Sequence, residues 1–84
     1  MARIYNFPLP YQISGLQDEV GIDDLEAAGY WDTADIPDDI RARMEAGEGL
    51  FGPGATISKA DIDRISDRAW TYIANKLGLS WSTA

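Results

Sequence analysis

The clearest pattern in the chain is a helical repeat towards its C-terminal end. Apolar residues recur there at intervals of three or four and so share one face of a helix: Ile62, Ile65, Ala69, Ile73 and Leu77. Ser58 with Asp61 is a capping pattern typical of a helix start, and Gly78 is typical of a helix end. The pattern predicts one long helix over residues 59–77, with Trp70 beside the apolar stripe as part of the core.

Two shorter helices are predicted in the middle of the chain. Residues 23–26, Asp-Asp-Leu-Glu, form a capping pattern, and Gly29 suits a left-handed C-terminal position. The next helix opens at residues 35–37, because Pro37 lies in the first turn, where its missing N–H costs nothing, and it ends at Gly47. Its apolar stripe recurs every four residues: Ile36, Ile40 and Met44.

The N-terminal segment is predicted to be extended. Residues 2–7 are rich in β-forming side chains, and the prolines at 8 and 10 end the strand because proline cannot donate to a sheet. A capping pattern also predicts a helical turn over residues 15–21. The predicted fold is mainly α, a bundle of three to four helices with a long C-terminal helix. Pairing of residues 2–7 with residues 29–33 or 50–57 would make it α+β, with a two- or three-stranded sheet.

Composition excludes several kinds of chemistry. The 84 residues suffice for a single domain, residues 1–84, and they contain neither cysteine nor histidine. Zinc sites of the Cys/His type, thiol nucleophiles and imidazole bases are therefore excluded. The glycine-rich residues 47–54 lack the Lys-Ser/Thr pair of a phosphate loop, and no calcium-loop pattern occurs. We expect no enzyme activity, no metal and no cofactor.

No apolar run approaches the roughly 20 residues that span a bilayer, and the N-terminus lacks the pattern of a signal peptide. We therefore expect a cytoplasmic protein without a membrane partner.

The net charge of −7 comes from one central stretch. Residues 18–48 hold eleven acids and two bases, whereas residues 49–84 hold four bases and three acids. Nucleic acids and anionic membranes repel so acidic a protein, so direct nucleic-acid binding is not expected. Concentrated carboxylates instead raise the association rate with a basic surface on another protein and help to select it.

The predicted partner-binding site combines these acids with two aromatic residues. Tyrosine and tryptophan are enriched at binding hot spots, although the same side chains also suit a position covering the core, and Trp81 presents the same alternative. The predicted site residues lie within one segment: Asp23, Asp24, Glu26, Tyr30, Trp31, Asp32, Asp35, Asp38 and Asp39.

Two functions are compatible with these features. The first is a small acidic inhibitor or adaptor that occludes a basic surface, such as a nucleic-acid-binding one, on a larger protein. Phage-encoded blockers of host defence, anti-CRISPR proteins among them, are similar to this chain in size and charge only. The second is a structural or assembly subunit, such as a virion component or a homodimer. It would bind through apolar surface, either the stripe of the helix after Pro37 or the aromatic residues Tyr30, Trp31 and Trp81.

Overall fold

Short helices and very short strands make up the computed structural model, which describes residues 3–12, 19–52 and 54–84. The elements of these residues follow in chain order: β1 (Arg3–Tyr5), β2 (Tyr11–Gln12), α1 (Ile22–Ala28), α2 (Asp38–Glu45), β3 (Thr56–Ile57), α3 (Lys59–Asp63), α4 (Asp67–Leu77) and β4 (Trp81–Thr83). The fold is therefore mixed α and β, and the α+β alternative describes it better than a mainly α bundle.

The strands form two antiparallel pairs. β1 pairs with β4, with Ile4 opposite Ser82, and β2 pairs with β3. The predicted pairing of the N-terminal strand is wrong, because β1 pairs with the C-terminal strand β4 and not with residues 29–33 or 50–57. Gly78 adopts a left-handed conformation (φ 72°), which ends α4 and redirects the chain towards β1.

The predicted long helix over residues 59–77 is wrong, because the chain forms two helices, α3 and α4, separated by residues 64–66. Ser66 is the N-cap of α4, and its hydroxyl accepts a hydrogen bond from the Ala69 N–H. The Ser66 N–H donates to the Asp35 carbonyl at 3.0 Å and so leaves the helical pattern. The apolar repeat stays in phase across the break, since Ile62, Ile65 and Ala69 are all buried. Periodicity alone therefore cannot reveal the break.

The two middle helices are confirmed with small changes of boundary. α1 begins after Gly21, whose N–H donates to the Asp24 carboxylate at 2.9 Å, and it ends at Gly29 with φ 85°. α2 begins directly after Pro37 and ends at Glu45. Most of the turn predicted over residues 15–21 lies outside the described residues, and its described part, residues 19–21, is not helical.

The core is organised around Trp70, which is completely buried and whose ring meets Tyr5 edge-on at a centroid distance of 6.3 Å. The α2 stripe packs into the same core, so it offers no apolar surface for assembly. The buried apolar residues come from all four helices and the segments between them: Val20, Leu25, Ile36, Ile40, Met44, Phe51, Ile57, Ile62, Ile65, Ala69, Trp70, Ile73, Ala74 and Leu77.

Replacing Trp70 with alanine should lower the free energy of unfolding by about 3–5 kcal/mol, because the substitution leaves a large cavity in the core. Urea unfolding followed by circular dichroism measures this loss. Trp70→Phe keeps most of the volume and removes an indole N–H that has no hydrogen-bond partner among the described residues, so it should cost much less. An unchanged midpoint for Trp70→Ala would contradict the assigned packing.

Candidate functional site

Helix α1 carries exposed carboxylates that form no ion pair within the part of the chain that the structure describes. Asp23 and Glu26 have no ion-pair partner among the described residues, and neither does Glu19 just before the helix. Asp24 accepts a hydrogen bond from the Gly21 N–H in the first turn. A negative charge there also interacts favourably with the positive end of the helix dipole. The charge of these acids is therefore not balanced by any cation of the described residues.

Asp32 is exposed and shapes the turn that leads towards α2. Its carboxylate accepts a hydrogen bond from the Ala34 N–H at 2.7 Å, and its backbone carbonyl accepts from the N–H groups of Asp35 and Ile36. This is the local bonding that aspartate favours in turns. No basic side chain pairs with Asp32 in the part of the chain that the structure describes.

Asp35 was predicted to face a partner, but its side chain is only 2% exposed. Arg68 donates two hydrogen bonds of 2.7 Å to its carboxylate, and the Ser66 hydroxyl donates a third at 2.6 Å. The bonds from Arg68 hold the pKa of Asp35 below its usual value, against the opposing effect of burial. Asp35 is therefore a structural residue and leaves the partner-facing set.

Asp38 and Asp39 are exposed in the first turn of α2, but arginine shares their charge. Arg64 donates two hydrogen bonds to Asp39, at 2.6 and 2.7 Å, and thereby lowers the pKa of that carboxyl. Asp38 lies 3.8 Å from the Arg41 guanidinium. These two predicted site residues thus contribute less unbalanced charge than the acids of α1.

Tyr30 and Trp31 are half-buried and stack against cations of the same chain. The Arg41 guanidinium lies 5.0 Å from the centre of the Trp31 ring, and the Arg68 guanidinium lies 5.6 Å from that of Tyr30. Tyr30 also meets Tyr72 at 5.7 Å between ring centroids. Both predicted residues therefore cover the core while keeping part of their surface exposed.

Ion pairing restricts the surplus charge to a shorter stretch than residues 18–48. Of the seven bases, six lie within 4.0 Å of a described carboxylate: Arg3, Arg41, Arg43, Lys59, Arg64 and Arg68. Among the described residues, six acids have no such partner, and five of these precede residue 33. We call those five, which helix α1 carries or which flank it in the chain, the α1 acidic surface: Glu19, Asp23, Asp24, Glu26 and Asp32.

A cleft of about 570 Å³ lies beside the α1 acidic surface. Its lining combines carboxylates with the apolar residues Val20, Met44 and Leu50, and two of the acids, Glu19 and Glu48, were not among the predicted site residues. No group of three acids in the described segments is arranged to hold a metal ion. The lining of the cleft instead suits a long basic side chain, whose stem is apolar and whose end is charged.

Comparison with known proteins gave no match to a family model, to a curated protein or to a solved structure. Over the described residues, no helix has the length and apolar character needed to cross a membrane.

Replacing Asp35 with asparagine should lower the free energy of unfolding at pH 7 by about 1–3 kcal/mol, because it weakens the bonds to Arg68 and Ser66 in a buried position. Chemical unfolding measures the change. Asp39→Asn removes an exposed bidentate pair and serves as the control, for which little change is expected. Equal effects of the two variants would contradict a special role for Asp35.

The difference in stability between wild type and Asp35→Asn should shrink in acid. The folded-state pKa of Asp35 lies below its ordinary value, so the ionised carboxyl stabilises the fold above that value, and this stability is lost as the pH falls through the lowered pKa. Unfolding curves recorded between about pH 6 and about pH 2 test this expectation. A difference that stays constant over the whole range would contradict it.

Proposed function

We propose that this chain is a small acidic interaction module that binds a basic surface of a larger protein through the α1 acidic surface. The observation that carries the proposal is the concentration of unpaired carboxylates before residue 33. The proposed role is one of binding and not of catalysis.

The distribution of bases supports an electrostatic mode of binding. Arg64 and Arg68 neutralise Asp39 and Asp35, whereas no base reaches the described acids of α1. Exposed charges of one sign raise the association rate with an oppositely charged surface and disfavour other partners. The α1 acidic surface is thus the part of the described chain with the strongest attraction for lysine and arginine.

The cleft beside α1 supports a partner with projecting basic side chains. Met44 and Leu50 offer apolar contact for the stem of a lysine or arginine, and Glu19 and Asp23 offer carboxylates for its charged end. Surfaces that bind nucleic acid are rich in such side chains. A module bound there occupies the place of the phosphates, and the consequence for the partner is inhibition by occlusion.

The alternative mode, assembly through apolar surface, has less to support it. Ile36 and Ile40 are completely buried and Met44 nearly so, and Trp31 and Tyr30 are partly covered by arginines of their own chain. The electrostatic mode is therefore the better supported of the two.

Neutralising Asp23 and Glu26 together, as Asp23→Asn with Glu26→Gln, should weaken binding to a basic partner about three- to tenfold at low salt and reduce the salt dependence of its affinity. The partner is first captured from cells that naturally make the chain and is then purified. Its affinity for wild type and variant is measured by calorimetry at several salt concentrations, with and without a competing nucleic acid.

The matched control adds two lysines at exposed sites elsewhere, Ala42→Lys with Asn75→Lys, and so changes the net charge by the same amount. This control should retain most of the affinity if the location of the charge matters. Equal losses of affinity in both variants would mean that net charge alone, and not its location, causes the effect. An affinity that does not change with salt concentration would contradict the proposal.

A further inference from the structure

The outer edge of β1 carries backbone groups that have no backbone partner within residues 3–12, 19–52 and 54–84. The Asn6 N–H donates to the Ser80 carbonyl at 3.0 Å, which makes residues 6 and 80 a hydrogen-bonded pair. Such pairs alternate along an antiparallel ladder, so the next one joins Ile4 to Ser82. The N–H and C=O groups of Arg3 and Tyr5 therefore point away from β4, and no backbone hydrogen bond to them is present among the described residues.

The same edge carries an exposed apolar side chain. Ile4 is 49% exposed, and among the described residues it is the one exposed large hydrophobic residue. It lies on the opposite face of β1 from Arg3 and Tyr5, whose side chains reach Asp67 and Asp63 respectively. Packing within the chain thus leaves Ile4 at the surface, in the middle of the unpaired edge.

The charge of the molecule decides which kind of partner fits this edge. The only ionisable side chain of β1 and β4 besides Tyr5 is Arg3, which is 9% exposed and paired with Asp67. Two copies of a chain with net charge −7 repel each other, and the five unpaired carboxylates of the α1 acidic surface contribute much of that charge. The edge of β1 is nearly neutral, so a second copy can approach there without setting unpaired carboxylates against each other.

We propose that the β1 edge is a self-association site, at which two copies join their β1 strands antiparallel about a two-fold axis at Ile4. Arg3 of one copy then lies opposite Tyr5 of the other, and their outward N–H and C=O groups form four hydrogen bonds. The two Ile4 side chains meet as a directly opposed pair, with Cβ atoms about 4.5–5.5 Å apart. The product is a four-stranded sheet in the order β4-β1-β1-β4.

The β4 edge is the less suitable alternative. Its central residue, Ser82, is exposed but polar, and its one large apolar side chain, Trp81, is already half-buried, with the Arg3 guanidinium 5.4 Å from the centre of its ring. A contact of three residues per copy is small, and the dimer is accordingly weak and transient. Raising the salt concentration strengthens it, because salt screens the repulsion between two negative molecules. A complex with a basic partner weakens under the same change, so this inference is independent of the proposed function.

The wild-type chain provides the first test, through a concentration series recorded by NMR and by sedimentation. The amide signals of Arg3 and Tyr5 should shift with concentration and be more protected from hydrogen exchange in the associated state. Association should increase between about 0.05 M and about 0.5 M NaCl. A chain that stays monomeric throughout, or shifts confined to α1, would overturn the proposal.

Two variants then distinguish the edges. Ile4→Asp sets like charges directly opposite each other and should weaken association about tenfold or more. Ser82→Asp adds the same charge on the same face of the neighbouring strand, away from the two-fold axis, and should retain most of the association. Circular dichroism checks that both variants fold, as expected for exposed positions. If Ser82→Asp abolished association and Ile4→Asp did not, the β1 edge would be the wrong site.

Discussion

The architecture depends on the buried carboxylate of Asp35, which binds Ser66 and Arg68 at the break between α3 and α4. A buried carboxylate is costly unless hydrogen bonds satisfy it, and here three donors do so. Arg3 reaches the same break from the N-terminal strand, where its guanidinium donates to Asp67 and to two neighbouring backbone carbonyl groups. The break is therefore the point to which both the N-terminal strand and the segment before α2 are attached.

The ion pairs that stabilise the fold also determine how charge is distributed over the surface. Arginines that anchor Asp35, Asp39 and Asp67 are not available to balance the acids of α1. The surplus charge of the described chain consequently lies mostly where no structural ion pair forms. The same separation leaves the β1 edge nearly neutral, so the two proposed contacts use different surfaces and respond to salt in opposite directions.

Helical periodicity predicted the existence of α1 and α2 and the apolar face shared by α3 and α4. It could not predict the break at Ser66, because Ile62, Ile65 and Ala69 continue the same repeat on both sides. Sequence spacing also could not identify the partner of β1, since residues 3 and 83 lie far apart in the chain and only the tertiary fold brings them together. The predicted site shows the same limit, since Asp35 and Asp23 have the same side chain but opposite surroundings.

The sequence by itself determined the net charge, the concentration of acids in the middle of the chain, and the absence of thiol and imidazole chemistry, because these are properties of composition and order. Only the tertiary structure decided which carboxylates remain exposed and unpaired. Ion pairs such as Arg68 with Asp35 join residues 33 positions apart, and their formation depends on distances that no local pattern encodes. Burial likewise depends on packing, which places Ile36 inside and leaves Ile4 at the surface.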